Sequence, residues 1–307
     1  MEEIFLRMAG ALAREMGLGR IEPIQIEPMG ADEQGYSGAK LSRLRFLMPD
    51  GTRRSFVLKY AGPMERLAMD LLTRQGRGHT PHAHQQPPLD REGWFIMQDI
   101  GPNRWTPQGP DWKRKVAGAL SEIHRDNLGF ADRFPQACQA GEAHWRDVVG
   151  RLSVDHFERQ CQSDNAFSAR YAHLMPKLRR RGELFARNMI QLCREGNSLT
   201  LTHGDLQTMD GDHVRCLAGR PMIIDWGFSR YAPFYIDLVD YFTLEEAEWY
   251  RLALCQGGVE LGQGDFEERW RMAAPYPGFI YLYPALMAHR RGDEALLERR
   301  LARILAE

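Results

Sequence analysis

The sequence has few of the features that mark secreted, zinc-bound or membrane-spanning proteins. Its 307 residues include five cysteines, which are widely spaced and form no Cys-x-x-Cys pair. An odd number of scattered cysteines argues against a disulfide framework and a zinc site, and it fits a reducing compartment. No apolar run approaches the roughly 20 residues of a transmembrane helix, and the acidic first residues lack the basic start of a signal peptide. We therefore expect a cytoplasmic protein with no membrane partner.

The chain also lacks an excess of charge of either sign. Its 40 lysines and arginines nearly balance its 41 aspartates and glutamates, for a net charge of -1. This balance gives no electrostatic case for a nucleic-acid partner. Basic runs at 177–181 and 289–291 lie in polar, helical-looking stretches and are interpreted as solvated helix faces. The length suits one large domain or two lobes.

Most of the functional information lies in two short stretches, LTHGDLQTMD and MIIDWG. The first places His203 two residues before Asp205 and a second carboxylate, Asp210, five residues after it. The second places Asp225 at the end of an apolar run. Kinases use one aspartate to orient the attacking hydroxyl and accept its proton, and they hold magnesium with a side chain five positions on and an aspartate after the next strand. The pattern predicts phosphoryl transfer from a nucleotide.

The motifs HGD at 203–205 and IDW at 224–226 resemble the aminoglycoside phosphotransferase and choline kinase-like family of small-molecule kinases. That family typically reads H-G-D-L/F-x-x-x-N, then I-D-W/F-E/G, then a downstream D-L, which this chain has at 237–238. The chain departs from the pattern at the metal-ligand asparagine, where it has Asp210. An aspartate binds magnesium through oxygen, as an amide does, with an extra negative charge. The departure leaves two alternatives open, an active kinase and a catalytically weak or inactive kinase-like nucleotide-binding protein.

The resemblance implies an α+β, protein-kinase-like fold with two lobes. We expect a small antiparallel-sheet lobe for the nucleotide in residues 1–98 and a mainly helical catalytic and substrate-binding lobe in residues 99–307. The order of the predicted N-terminal elements agrees with this fold. These elements are a helix at 2–17, a strand at 21–29, a Gly-bearing loop at 30–38, strands at 41–48 and 55–60, a helix at 63–75 and a strand at 94–97.

Three residues of this lobe are candidates for contacts with the nucleotide phosphates. In kinase-like lobes a strand lysine contacts the α- and β-phosphates and pairs with a glutamate of the next helix. Lys59 lies on the third predicted strand and Glu65 in the first turn of the following helix. Glu33 and Glu92 are alternatives to Glu65, although neither lies on a predicted helix after the lysine strand. Ser37 lies in the Gly-bearing loop, where backbone N–H groups can approach phosphates.

The segment formed by Gln98, Asp99 and Ile100 is predicted to be the hinge between the lobes. The strand at 94–97 leads directly into it, and the resemblance implies that adenine bonds to its backbone groups. An alternative is that Asp99 caps a helix. The sequence does not distinguish ATP from GTP as the donor.

The resemblance also implies the roles of the motif residues. Asp205 is expected to accept the proton of the substrate hydroxyl, and His203 to support the loop by hydrogen bonding. Asp210 and Asp225 are expected to hold Mg²⁺. The implied acceptor is a hydroxyl-bearing small molecule, such as an aminoglycoside or another antibiotic. Whether the protein is a monomer or a homodimer is left open.

A metal-dependent hydrolase is a competing interpretation of the acidic cluster. Asp205, Asp210, Asp212 and His213 could form a dinuclear site. Against this, the sequence offers no second cluster at suitable spacing, and the lysine on the third strand would be unexplained.

Carboxylates and aromatic rings suited to a cationic acceptor follow the D-L pair. Glu245, Glu246 and Trp249 are hypotheses for acceptor contacts. Such residues at helical spacing also occur as solvated or core positions of ordinary helices.

Overall fold

A computed structural model of the chain describes residues 2–29, 40–101, 109–207 and 213–306. The predicted site residues Ser37 and Asp210 lie outside these ranges. The chain forms two compact units, which we call the sheet unit and the helical unit. The sheet unit comprises Met1–Asp126 and His203–Ser229, and the helical unit comprises Asn127–Thr202 and Arg230–Glu307. The lobe boundary at residue 98 stays a prediction.

A five-stranded antiparallel sheet forms the centre of the sheet unit. Its strands are β1 (Glu22–Pro28), β2 (Leu41–Leu47), β3 (Arg53–Ala61), β4 (Ala83–Gln85) and β5 (Gly93–Gln98). They are arranged in the order β1-β2-β3-β5-β4. Strand β4 is absent from the sequence prediction because it is three residues long and lies in a Pro- and His-rich connection. The other strands agree with the predicted elements to within two residues at each end.

One face of this sheet is covered by the first helix, α1 (Glu2–Glu15). Phe5, Met8 and Leu12 recur at helical spacing and pack against Phe56 and Leu58 of β3 in one apolar cluster. Successive side chains of a strand point to opposite faces. Val57 and Lys59 therefore lie on the face of the sheet that α1 does not cover.

Two helices and a hairpin complete the sheet unit. Helix α2 (Pro63–Gln75) follows β3, and helix α3 (Pro110–Asn127) comes after β5. Strands β6 (Leu199–Thr202), β7 (Val214–Leu217) and β8 (Arg220–Ile223) follow in the chain, and β7 and β8 form an antiparallel hairpin. Both residues of the hairpin turn have positive φ angles, 50° at Ala218 and 78° at Gly219, as in a type I′ turn. The hairpin leads directly into a short 3₁₀ turn, Trp226–Phe228.

The helical unit contains β6, which pairs with β9 (Arg230–Pro233), and the remaining helices. Its core includes stacked rings of Phe185 and Phe279 beside the fully buried Trp145. The helices are α4 (Glu142–Val149), α5 (Asp155–Ser163), α6 (Asn165–Tyr171), α7 (Met175–Glu195), α8 (Leu244–Gln256), α9 (Gln263–Ala273), α10 (Tyr276–Ile280), α11 (Leu282–His289) and α12 (Glu294–Leu305).

The predicted α+β class is confirmed, with an antiparallel sheet in the N-terminal part and mainly helices beyond it. None of the helices in the described part of the chain combines the length and the apolar character required to cross a membrane.

Candidate functional site

Lys59 lies in the middle of the sheet, near the end of β3. Its register partners are Leu41 on β2 and Phe95 on β5, so strands flank it on both sides. Only 8% of its side chain is exposed. A lysine is rarely buried to this extent unless its ammonium group is paired. We therefore expect carboxylates close to Nζ of Lys59.

Glu65 is the first partner of Lys59. Pro63 begins α2 with a backbone already suited to the helix, and Glu65 follows in its first turn, where a negative charge also favours the helix dipole. An oxygen of Glu65, Oε1, lies 2.6 Å from Nζ of Lys59, and 7% of the Glu65 side chain is exposed. The strand and the helix thus bring together the pair that the sequence singled out.

Asp225 is the second partner of Lys59. It follows the buried end of β8 and has φ 62° and ψ 64°, a left-handed conformation that few residues other than glycine adopt. Its Oδ1 lies 2.7 Å from Nζ of Lys59, and 38% of its side chain is exposed. We call Lys59, Glu65 and Asp225 the ion-pair cluster. Such backbone strain is often concentrated at functional sites.

The charges of the ion-pair cluster set the pKa of each member. Burial alone would lower the pKa of Lys59, but the carboxylates of Asp225 and Glu65 outweigh it and raise the pKa above its ordinary value. Burial raises the pKa of Glu65, and the ammonium group of Lys59 offsets only part of that effect. Burial would also raise the pKa of Asp225, but Lys59 and, to a smaller extent, His213 lower it below its ordinary value. Asp225 is thus held as a carboxylate.

The second part of the site, which we call the histidine loop, consists of His203, Gly204, Asp205 and His213. His203 is fully buried, and its Nε2 lies 2.8 Å from the carbonyl oxygen of Ile224. A carbonyl oxygen only accepts, so Nε2 carries the proton, while Nδ1 accepts the backbone N–H of Asp205 at 3.2 Å. His203 therefore supports the backbone of the loop, as expected from the sequence, and its place among catalytic residues stays a prediction.

Gly204 is required by the shape of the loop. Its φ of 77° is unfavourable for any residue with a Cβ, and a Cβ placed here would lie 2.7 Å from the carbonyl oxygen of Phe228. Steric hindrance thus explains why a glycine stands between the histidine and the aspartate of the motif.

The carboxylate of Asp205 is in contact with the side chain of His213. Oδ2 of Asp205 lies 3.2 Å from Nε2 of His213. The rings of His213 and His203 are also neighbours, with centroids 5.5 Å apart. The site thus places one imidazole beneath the backbone of Asp205 and another beside its carboxylate.

The side chain of Asp99 ties the predicted hinge to the sheet and does not cap a helix. Oδ2 of Asp99 accepts from Nε of Arg43 at 2.8 Å and from the hydroxyl of Ser55 at 2.6 Å. Oδ1 of Asp99 accepts the backbone N–H of Gly101 at 2.8 Å, which forms a tight turn. The alternative in which Asp99 caps a helix is therefore wrong.

The other two hinge residues differ in what they offer to a ligand. The backbone N–H of Gln98 donates to the carbonyl oxygen of His82 at 2.8 Å. That bond joins the end of β5 to the chain just before β4. Gln98 is thus tied into the sheet through its amide, and Ile100 follows beyond the last strand residue, where it is partly exposed.

The residues suggested as acceptor contacts lie in the helical unit. Thr243 and Glu246 form a capping box at the start of α8, in which each side chain accepts the backbone N–H of the other residue. Glu246 therefore has a structural role. Glu245 is exposed and lines a cavity of about 540 Å³ between α8 and α9, together with Glu248 and Glu267.

The donor set of the ion-pair cluster is suited to magnesium. Asp225 supplies hard, partly exposed carboxylate oxygens, and one ammonium group stands between two carboxylates. No group of three or more histidine, cysteine, aspartate or glutamate side chains positioned to hold a metal ion is found among the described residues. Magnesium at phosphate sites is commonly held by one or two carboxylates, with phosphates and waters completing the shell. The residues present fit a magnesium ion of that kind.

The contact of His213 with Asp205 is the feature of the site that the sequence prediction missed. The sequence suggested His213 only as part of a dinuclear metal site. A signal was available in the pairing of β7 with β8, because His213 directly precedes β7 and Asp225 lies two residues after β8. A hairpin around the Ala218–Gly219 turn brings the two ends together.

No protein-family model matches the sequence, and no curated protein matches it. Solved structures do match over nearly the whole chain. An ethanolamine kinase from Plasmodium vivax has a TM-score of 0.58 at 10% identity, with 92% of this chain and 81% of that chain covered. A choline kinase from Streptococcus pneumoniae has a TM-score of 0.53 at 15% identity, with 98% and 100% covered. A macrolide 2′-phosphotransferase from Brachybacterium faecium has a TM-score of 0.52 at 16% identity, with 98% of each chain covered.

These matches confirm the fold that the sequence resemblance implied. The chain has the kinase-like fold of small-molecule kinases that act on quite different acceptors. At this level of identity the similarity concerns the fold, so function has to be argued from the site.

Proposed function

We propose that this protein is a small-molecule kinase, which transfers the γ-phosphoryl group of ATP or GTP to a hydroxyl group of its acceptor. The observation that carries the proposal is the ion-pair cluster. A buried strand lysine is paired with a glutamate of the next helix and with the aspartate that follows the hairpin. Phosphoryl transfer needs this combination, in which a fixed cation faces the phosphates and a carboxylate faces the metal ion.

Lys59 would bind the α- and β-phosphates. An ammonium group has three N–H donors, and two of those of Lys59 are directed to Glu65 and Asp225. We assign the third to a phosphate oxygen. Glu65 then acts as the residue that keeps the lysine in place, and Ser37 in the Gly-bearing loop would approach the same phosphates.

Asp225 and Asp210 are the residues that would hold magnesium, which would neutralise negative charge on the phosphates. The low pKa of Asp225 supports this assignment, because Mg²⁺ binds the ionised carboxylate. The cluster holds one ammonium group against two carboxylates, so its charge also favours a further cation.

Asp205 would orient the acceptor hydroxyl and take its proton. It is the carboxylate of the histidine loop, and both its backbone and its side chain are held by imidazoles. The neutral His203 has its ring nitrogens engaged with the backbone, so Asp205 is the better candidate for the proton acceptor.

The adenine or guanine base would bind to the backbone beyond β5. The amide of Gln98 already donates to His82, so we assign the donor to Ile100 and the acceptor to the carbonyl group of Gln98. The side chain of Asp99, which is bonded to Arg43 and Ser55, would fix the position of this segment.

The acceptor would be a hydroxyl-bearing small molecule such as an aminoglycoside or another antibiotic. The structural neighbours include kinases named for ethanolamine, choline and a macrolide. Two of these molecules are small cationic alcohols. The exposed Glu245, at a cavity with two further glutamates, supports a cationic acceptor.

The test is a coupled assay of ADP or GDP release with ATP or GTP and magnesium. The acceptor panel comprises aminoglycosides, macrolides, choline, ethanolamine and small hydroxylated metabolites. Release that depends on one acceptor and is lost in Asp205→Asn would support the proposal and identify the substrate class. Release that is equal with and without every acceptor, or that persists in the variant, would contradict it.

The second candidate is a kinase-like nucleotide-binding protein with little catalysis. It is favoured by Asp210 at the position where the resembling family has asparagine. Binding of ATP that requires magnesium, without release of ADP for any acceptor, would support it. In that case Asp210→Asn is the informative variant, because a gain of turnover would show that the extra negative charge suppresses catalysis.

A further inference from the structure

His213 contacts the candidate catalytic carboxylate but has no role in the function proposed above. Its Nε2 lies 3.2 Å from Oδ2 of Asp205, and the two side chains are 15% and 14% exposed. An ionised carboxylate only accepts, so the proton of this bond is carried by Nε2 of His213.

The backbone of His213 is fixed by the same hairpin that leads to Asp225. Val214 and Ile223 are register partners in the pair of β7 and β8. The next bond along runs from the N–H of Ile224 to the carbonyl oxygen of His213, at 2.8 Å. His213 is thus held opposite the residue that precedes Asp225, and a sheet-like pair defines its position.

His203 fixes the other side of Asp205. Its Nδ1 accepts the backbone N–H of Asp205 at 3.2 Å, and its Nε2–H donates to the carbonyl oxygen of Ile224 at 2.8 Å. The backbone amide of Asp205 and its carboxylate therefore each contact a different imidazole. Both histidines are bonded to the main chain of Ile224: Nε2–H of His203 donates to its carbonyl oxygen, and the backbone carbonyl oxygen of His213 accepts its N–H.

A direct metal-binding role for His213 is less well supported than a role toward Asp205. Mg²⁺ prefers oxygen ligands, whereas imidazole suits softer metals. The contact that is present joins His213 to a carboxylate, and its geometry is that of a hydrogen bond.

We propose that His213 is a positioning residue for Asp205. Its Nε2–H holds one carboxylate oxygen and thereby fixes the direction in which Asp205 meets the acceptor hydroxyl. The kinetic part of this inference rests on the proposed function, whereas the hydrogen bond itself does not. Because positioning acts on the reacting geometry, its loss should lower kcat and leave nucleotide affinity unchanged.

The kinetic test compares three variants of the full-length protein with the most active acceptor of the panel. His213→Leu removes the N–H donor, and His213→Gln keeps one on a neutral side chain. His79→Leu is the matched control, since Nε2 of His79 lies 3.0 Å from Oε2 of Glu122 and its side chain is 13% exposed. We expect kcat to fall roughly 10- to 100-fold in His213→Leu, to recover at least partly in His213→Gln, and to stay within about twofold in His79→Leu.

Two kinetic outcomes would overturn the inference. One is an unchanged kcat in His213→Leu. The other is a loss of magnesium-dependent ATP affinity, measured by calorimetry, with kcat retained at saturation, which would assign His213 to the nucleotide or metal site. Thermal melting of each variant separates both outcomes from simple misfolding.

A spectroscopic test does not depend on turnover. In ¹⁵N NMR of the imidazole groups, the Nε2 resonance of His213 should shift when Asp205 is replaced by leucine, while that of His79 should stay in place. An unchanged His213 resonance would show that the bond is absent and would reject the inference. If the wild-type protein releases no ADP with any acceptor, the proposed function fails, yet this measurement still decides whether His213 holds Asp205.

Discussion

The ion-pair cluster and the histidine loop hold their aspartates by different forces. Asp225 is held by the full charge of Lys59, 2.7 Å away and 166 positions distant in the sequence. Asp205 is held by two hydrogen bonds, a backbone bond to His203 and a side-chain bond to His213, which is eight positions away. One aspartate is thus fixed by charge from a remote strand, and the other by hydrogen bonds from its own neighbourhood.

This difference separates two tasks of the site. The strong field of Lys59 lowers the pKa of Asp225 and keeps it ionised, which is what binding of a cation requires. Hydrogen bonds to Asp205 fix a direction, which is what attack by a hydroxyl requires. Changes in the ion-pair cluster should therefore reduce stability and nucleotide affinity together, whereas changes in the histidine loop should reduce turnover first.

The largest expected effect is on turnover and belongs to the histidine loop. Asp205→Asn keeps the size of the side chain but removes its ability to take a proton. We expect kcat to fall by about 10²- to 10⁴-fold, the usual contribution of a general base, with little change in ATP affinity. Acceptor-dependent ADP release and calorimetric ATP binding are the measurements. Asp50→Asn, in the exposed β2–β3 turn, is the control. A loss of ATP binding as large as the loss of kcat would contradict the assignment of turnover to the histidine loop and of nucleotide binding to the ion-pair cluster.

The next effect tests the ion-pair cluster through its cation. Lys59→Met leaves the carboxylates of Glu65 and Asp225 without a counter-charge. We expect the free energy of unfolding to fall by about 3 kcal/mol, at the low end for a broken buried pair because Asp225 is partly exposed. Urea denaturation measures this value, and calorimetry should show ATP affinity reduced in parallel.

The double variant Lys59→Met/Glu65→Gln is the control for that prediction. It removes the stranded carboxylate of Glu65, so it should recover part of the stability but none of the ATP affinity. If the single variant is as stable as the wild type, charge does not hold the cluster together.

The pH dependence of stability tests the charge of Lys59 separately from the size of its side chain. The folded-state pKa of Lys59 is raised above its ordinary value of 10.5. The contribution of its ammonium group is therefore complete below pH 10.5 and is lost as the pH rises through the higher folded value. The difference in unfolding free energy between wild type and Lys59→Met should shrink in that alkaline range. A difference that stays constant up to pH 12 would mean that the ammonium charge does not stabilise the fold.

A steric substitution probes the histidine loop independently of charge. Gly204→Ala adds a Cβ at φ 77° and 2.7 Å from a backbone oxygen of Phe228, so we expect a loss of about 2–3 kcal/mol. Gly196→Ala, at φ 74° with nothing within 4 Å, carries the conformational cost alone and should lose about 1–2 kcal/mol. Urea denaturation of both variants isolates the clash. Equal losses would show that the loop yields to the added methyl group.

Much of this architecture could be predicted from the sequence because the signals were local. The Pro-Asp-Gly turn between β2 and β3 and the start of α2 at Pro63 are examples. The pairing of Lys59 with Glu65 follows from a strand and a helix in succession. Strand β4 could not be found, because three residues between prolines and histidines carry no periodicity.

The features that escaped prediction depend on pairing between distant or irregular segments. The bond from Arg43 to Asp99 requires the register of β2, β3 and β5, which alternation alone does not define. Aspartate tolerates a left-handed backbone better than most residues, but its residue type alone does not predict this conformation at position 225. His213 faces Asp205 because of the hairpin register, which a pattern of fixed spacing after Asp205 does not define.

The smallest expected effect lies in the hairpin that joins the two parts of the site, since β7 follows His213 and β8 leads to Asp225. Ala218 has a φ of 50° in a turn that favours asparagine or glycine. Ala218→Asn should therefore stabilise the protein by about 0.5–1 kcal/mol, because asparagine tolerates this backbone region better than alanine. Thermal melting checks the gain, and Ala218→Val, with a β-branched side chain at positive φ, should lower the melting temperature.

Since the hairpin already holds His213 and Asp225 in register, kcat should stay unchanged in Ala218→Asn. A rise in kcat would mean that hairpin opening, rather than the side chains themselves, limits how well the ion-pair cluster and the histidine loop are aligned.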